Sequence, residues 1–65
     1  MAALYLHTFT ANGLTQDSAA IASQGIATAW LEQWPDAVVS HMSITAAPNE
    51  LHGGIDVTIL IAADR

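Results

Sequence analysis

Apolar and polar positions along this chain follow two different periods. Residues 54–63 alternate with period two: Ile55, Val57, Ile59 and Ile61 point one way, Asp56, Thr58, Leu60 and Ala62 the other. The run is rich in β-branched residues and opens on Gly53-Gly54, which predicts a strand at the centre of a sheet. A second alternating run over residues 3–10 stops at Ala11-Asn12-Gly13, a turn signal. Leu4, Leu6 and Thr8 share one of its faces, and Tyr5, His7 and Phe9 share the other.

Between these runs the period becomes helical. Thr15 is placed to cap a helix whose first turn is Gln16, Asp17 and Ser18, with Asp17 at the positive end of the dipole. Leu14 and Ala19 are positioned for a small hydrophobic staple across that cap. The helix should end at Gln33 or Trp34, because Pro35 disfavours helical geometry in the residue before it. Steps of 100° gather Ala19, Ala22, Ser23, Ile26, Trp30 and Trp34 in one arc, opposite Asp17, Gln24, Thr28 and Glu32. Ile21 and Leu31 fall outside the arc, and Gly25 sits mid-helix at a cost of about 1 kcal/mol relative to alanine. These exceptions suggest a second contact surface.

Residues 36–46 form the remaining strand, with Val38, Ser40, Met42 and Ile44 on one face and Val39, His41, Ser43 and Thr45 on the other. A connection over 47–52 then leads into the closing strand. The order β-α-β-β, with a right-handed crossover and then a hairpin, gives an α+β split β-α-β fold. Its three-stranded antiparallel sheet has order 1-3-2, and the helix packs on one face. That face should carry Leu4, Leu6, Val38, Met42, Ile44, Ile55, Val57, Ile59 and Ile61.

Composition changes this picture in one respect. Sixty-five residues make a single small domain (residues 1–65), with 52% hydrophobic and only 11% charged residues and no cysteine. A chain of this size buries roughly 60% of its unfolded surface, and disulfides cannot reinforce it, so self-association into a homo-oligomer is expected. Six acids oppose one base, Arg65. Without a basic patch, direct binding to nucleic acid or to anionic lipid is disfavoured. Neither a leader-like segment nor a run long enough to span a membrane is evident, and a cytoplasmic location is the expectation.

The sheet face away from the helix is expected to hold Tyr5, His7 and Phe9, then Asp56, Thr58 and Leu60, then Val39, His41, Ser43 and Thr45. Mixed aromatic, histidine and β-branched patches are usually buried against a partner or a ligand. His7 and His41 would flank Asp56 there, but about 10 Å apart across the central strand, too far to share one zinc. No nucleophile or oxyanion motif accompanies them, so a binding function is expected rather than an enzymatic one. Trp30 and Trp34 are four residues apart and read as core, although Trp34, at the helix end, could stack on a flat ligand.

The length, the β-α-β-β order, Trp34 followed by Asp36-Ala37-Val38-Val39, and Ile55-Asp56-Val57-Thr58-Ile59 together resemble the dodecins, small flavin-binding proteins that assemble as hollow dodecamers. Asp56 stands where that family carries glutamine. The resemblance implies that Trp34 stacks on the isoalloxazine ring and that Asp56 contacts its polar edge. Tyr5, His7 and His41 complete the candidate ligand-binding set, with flavin the cofactor so implied. The other function class compatible with the composition is a small acidic interaction module, such as a phage-encoded inhibitor of a basic host protein. Tautomerases share the short β-α-β design but need a proline after the initiator methionine, where this chain has Ala2.

Overall fold

The computed structural model describes residues 4–65, in the order β1 (Tyr5–Gly13), α1 (Gln16–Gln33), β2 (Val39–Pro48) and β3 (Ile55–Ala63). β3 lies between β1 and β2 and is antiparallel to both, so the sheet order is β1-β3-β2. The expected α+β fold is the observed one. The alternating run over residues 54–63 is the central strand, and it supplies Val57, Ile59, Ile61, Ala62 and Ala63 to the buried core. Ala3, placed by its pattern at the start of the first strand, lies outside the described residues.

Thr15 caps α1 as expected. Its hydroxyl accepts from the Ser18 amide at 3.2 Å, and the Ser18 hydroxyl accepts from the Thr15 amide at 3.2 Å, which completes a capping box. The staple does not form: Leu14 is 93% exposed. Trp34 closes the helix with its amide bonded to the Trp30 carbonyl, ahead of Pro35. The stripe that enters the core is Ala19, Ser23 and Ala27, four residues apart, with Trp30 and Leu31 half-buried beside it. Ala22 and Ile26 lie outside it, so the buried arc is rotated from the expected one and made of smaller residues. The Ser23 hydroxyl donates to the Ala20 carbonyl at 3.1 Å and so enters the core without an unpaired polar atom.

β1 has the opposite phase from the one expected. Its pairing sets Tyr5 opposite Ala63, His7 opposite Ile61, Phe9 opposite Ile59 and Ala11 opposite Val57. Directly paired residues share a face, so Tyr5, His7 and Phe9 lie on the helix side, and Leu6 and Thr8 on the open side. Large side chains occur in both phases of this strand, so hydrophobicity alone does not choose between them. Helix contact does. Trp30 packs against His7 and Phe9, with ring centroids 4.6 and 6.1 Å away. The strand also runs through Ala11-Asn12-Gly13 instead of turning there. Gly13 serves close packing: a Cβ at this position would lie 2.6 Å from the Ala19 nitrogen.

β2 starts three residues later than its pattern suggested and carries a bulge between Val39 and His41. The bulge sets Val39 opposite Ala63 on the helix side, while Val38 precedes the strand and is exposed. Gly53 and Gly54, with φ of 78° and 73°, turn the β2–β3 connection through left-handed geometry that glycine alone adopts freely.

The candidate functional site is a groove beside an uncovered strand

A helix about 10 Å across covers roughly two strands spaced 4.8 Å apart. Here α1 lies over β1 and β3, and β2 is left outside its shadow. Met42 and Ile44, paired with Ile61 and Ile59, therefore point to the helix side yet remain 59% and 55% exposed. With Gln24, Ser43 and Ile59 they line a groove of about 330 Å³ between helix and strand. A second hollow of about 240 Å³ continues along β2 past Gln16, Ala46, Ala47, Pro48 and Ile55. The floor is apolar, and the helix wall carries glutamine amides. Such a lining suits an apolar or flat molecule held by a few polar contacts.

The residues singled out by sequence are not gathered into one constellation. Tyr5 and His7 lie on the helix side near the end where α1 finishes. His41 is opposite Ala62, on the open face of the same end. Asp56 is opposite Asn12 and Ala47, six residues of β3 away, or about 20 Å. His7, Asp56 and His41 therefore do not form the expected row. Among the described residues no group of three or more His, Asp or Glu side chains is placed to hold a metal ion.

Asp56 instead ties the far end of the sheet together. Its carboxylate accepts from the Asn12 amide at 2.9 Å and from the Asn49 amide at 3.1 Å. Asn12 also donates to the Gly53 carbonyl at 3.0 Å, and the Asn49 side-chain oxygen accepts from the amides of Leu51 and His52. One carboxylate oxygen is thus held by β1 and the other by the β2–β3 connection.

At the opposite end Trp34 is 42% exposed, and the Arg65 guanidinium carbon lies 6.0 Å from its ring centroid. Arg65 also approaches Asp36 at 3.5 Å and Asp64 at 3.7 Å, while its carbonyl accepts from His7 Nε2 at 2.7 Å. The Asp64 carboxylate accepts from the Val38 amide at 2.9 Å, joining the start of β2 to this cluster. The only base in the sequence is thereby committed to holding the two ends of the fold's elements beside an exposed indole.

Sequence reading placed Met42 and Ile44 under the helix and so missed the groove. The signal was present: one helix cannot cover three strands. Compared with known protein families, curated proteins and solved structures, the chain matches none. No helix among the described residues is long and apolar enough to cross a membrane.

Proposed function

We propose that this chain is a small homo-oligomeric binding protein that holds a flat aromatic molecule. Flavin is the ligand class suggested by the dodecin-like sequence features, although Trp34 and Asp56 lie at opposite ends of the sheet and would not contact the same ring. The observation carrying this reading is the apolar floor of β2, where Met42 and Ile44 lie open beside a groove of about 330 Å³. That volume falls at the lower end of the range for small-molecule sites, about 300–1,000 Å³. Trp34, outside the core at the end of the molecule where β2 begins, offers a stacking surface.

Assembly draws support from the thin core. Among the described residues seven hydrophobic ones are buried, and four of them are alanines. The radius of gyration is 12.9 Å, against about 10.7 Å for a compact 65-residue domain. The accessible surface is 4514 Å², against about 3,950 Å² for a compact monomer of this mass.

The acidic interaction module draws less support. Asp56 is bound by two asparagines, and Asp36 and Asp64 both lie beside Arg65. Asp17, Glu32 and Glu50 remain, the first two on the helix and the third in the hairpin loop, and they do not make a single acidic surface. Titrating riboflavin with purified protein while following flavin fluorescence tests the ligand. Quenching that saturates at micromolar protein is expected, and no quenching overturns the flavin assignment.

A further inference from the structure

The sheet has two open edges, β1 and β2, and neither carries a charged aspartate, glutamate, lysine or arginine. Edge strands without charge are templates for pairing with another chain. In a molecule of net charge −5, an uncharged edge is also where a second copy approaches with least repulsion. Helix position decides between the two edges.

Pairing β2 with β2 of a second copy across a two-fold axis would set the helices about four strand spacings apart, roughly 19 Å. Helices about 10 Å across would then leave some 9 Å of apolar floor still open between them. Pairing β1 with β1 has a different outcome. Because α1 lies over β1 and β3, the helix axes would stand about two strand spacings apart, roughly 9.6 Å. Packed helices are separated by about 8–10 Å.

The residues on that flank suit the contact. Ile26 is one turn before Trp30, about 40° around the helix from it, on the side away from Gln24 and the β2 groove. Trp30 touches β1 through His7 and Phe9, so Ile26 overhangs the outer edge of β1, and it is 47% exposed. Ala22 and Ala29 beside it impose no bulk at that separation. The carboxylates of Asp17 and Glu32 lie elsewhere on the helix surface, at the β2 flank and the outer face. Over its whole surface of 4514 Å² the monomer exposes about 560 Å² more than a compact chain of its mass would, as expected of a chain that associates.

We infer that two copies of this chain pair through β1, antiparallel across a two-fold axis, giving a six-stranded sheet with the two helices packed side by side through Ile26. The inference rests on the proposed self-association and specifies its surface. It leaves the β2 groove of each copy free for ligand.

The absence of cysteine makes a cross-linking test free of background. Leu6→Cys, Thr8→Cys and Thr10→Cys, singly and in pairwise mixtures, place a cysteine pair opposite one another for any two-fold register centred on residues 6–10. Ser43→Cys and Thr45→Cys report on β2. Mild oxidation should give disulfide-linked dimer from one or two of the β1 combinations and none from β2. Ile26→Glu should lower the mass measured by light scattering to that of one 6.8 kDa chain, with the far-ultraviolet circular dichroism kept, while Ile26→Val stays associated. Oligomers that cross-link through β2, or through neither strand, overturn the β1 surface and leave self-association standing. A monomer at micromolar concentration overturns both.

Discussion

His7 stacks on Trp30 with ring centroids 4.6 Å apart and planes tilted by 41°, and the same imidazole donates through Nε2 to the Arg65 carbonyl. One side chain therefore joins the first strand, the last turns of the helix and Arg65, two residues beyond β3. His7→Phe keeps the ring contact and loses the hydrogen bond, at an expected cost of about 1 kcal/mol. His7→Ala loses both and should cost about 2 kcal/mol. Urea denaturation of the two variants checks the order. Equal stabilities would show that the ring contact contributes nothing.

Removal of the Asp56 carboxylate should loosen the hairpin without unfolding the sheet. In Asp56→Ala the side-chain amides of Asn12 and Asn49 lose their acceptor, and partial exposure keeps the cost to about 1–2 kcal/mol. Hydrogen exchange should accelerate at the Asn49 and Gly53 amides, which close this turn, and change little in β3. Uniform acceleration across the chain would contradict a local role.

Two glycines should respond in opposite directions. Gly25 faces open space in the helix, so Gly25→Ala should stabilise by about 0.5–1 kcal/mol and raise the thermal midpoint by a few degrees. Gly13→Ala sets a methyl group against the backbone of Ala19 and should destabilise the join between β1 and α1. Thermal melts of the pair decide it.

Ile61 is fully buried at the centre of the sheet, packed in a cluster with Ala27, Ile59 and Ala63. Ile61→Ala should cost about 2–5 kcal/mol. A small domain commonly has about 3–5 kcal/mol in total, so loss of the cooperative melting transition is expected. Ile61→Val should retain it. By contrast Met42→Ala and Ile44→Ala, at exposed positions in the groove, should each cost under about 1 kcal/mol in the isolated chain while weakening riboflavin quenching.

The strand order was legible because residues 54–63 are too apolar for an edge, and Thr15 and Pro35 bracket the helix. The phase of β1 was not, since Leu4 and Leu6 compete with Tyr5 and Phe9. Gly13 shares parity with His7 and Phe9 and sits where α1 crosses close above the strand, but in the sequence the same glycine reads equally well as a turn. The bulge at Val39–His41 has no local signature among Val39, Ser40 and His41. The separation of Asp56 from both histidines follows from register, which alternation alone leaves open by any even number of residues.

The strand that holds the sheet together is the last of the three to be synthesised. Until Ile55–Ala63 have left the ribosome, β1 and β2 have no hydrogen-bonding neighbour, and α1 is the only element that can form from local contacts. Without β3, β1 and β2 are two unpaired strands that carry no Asp, Glu, Lys or Arg, and the sheet exists only through the pairing of both with β3. A chain cut short before residue 55 would keep both of those strands and lose the one partner each has in the sheet, leaving bare edges as templates for aggregation.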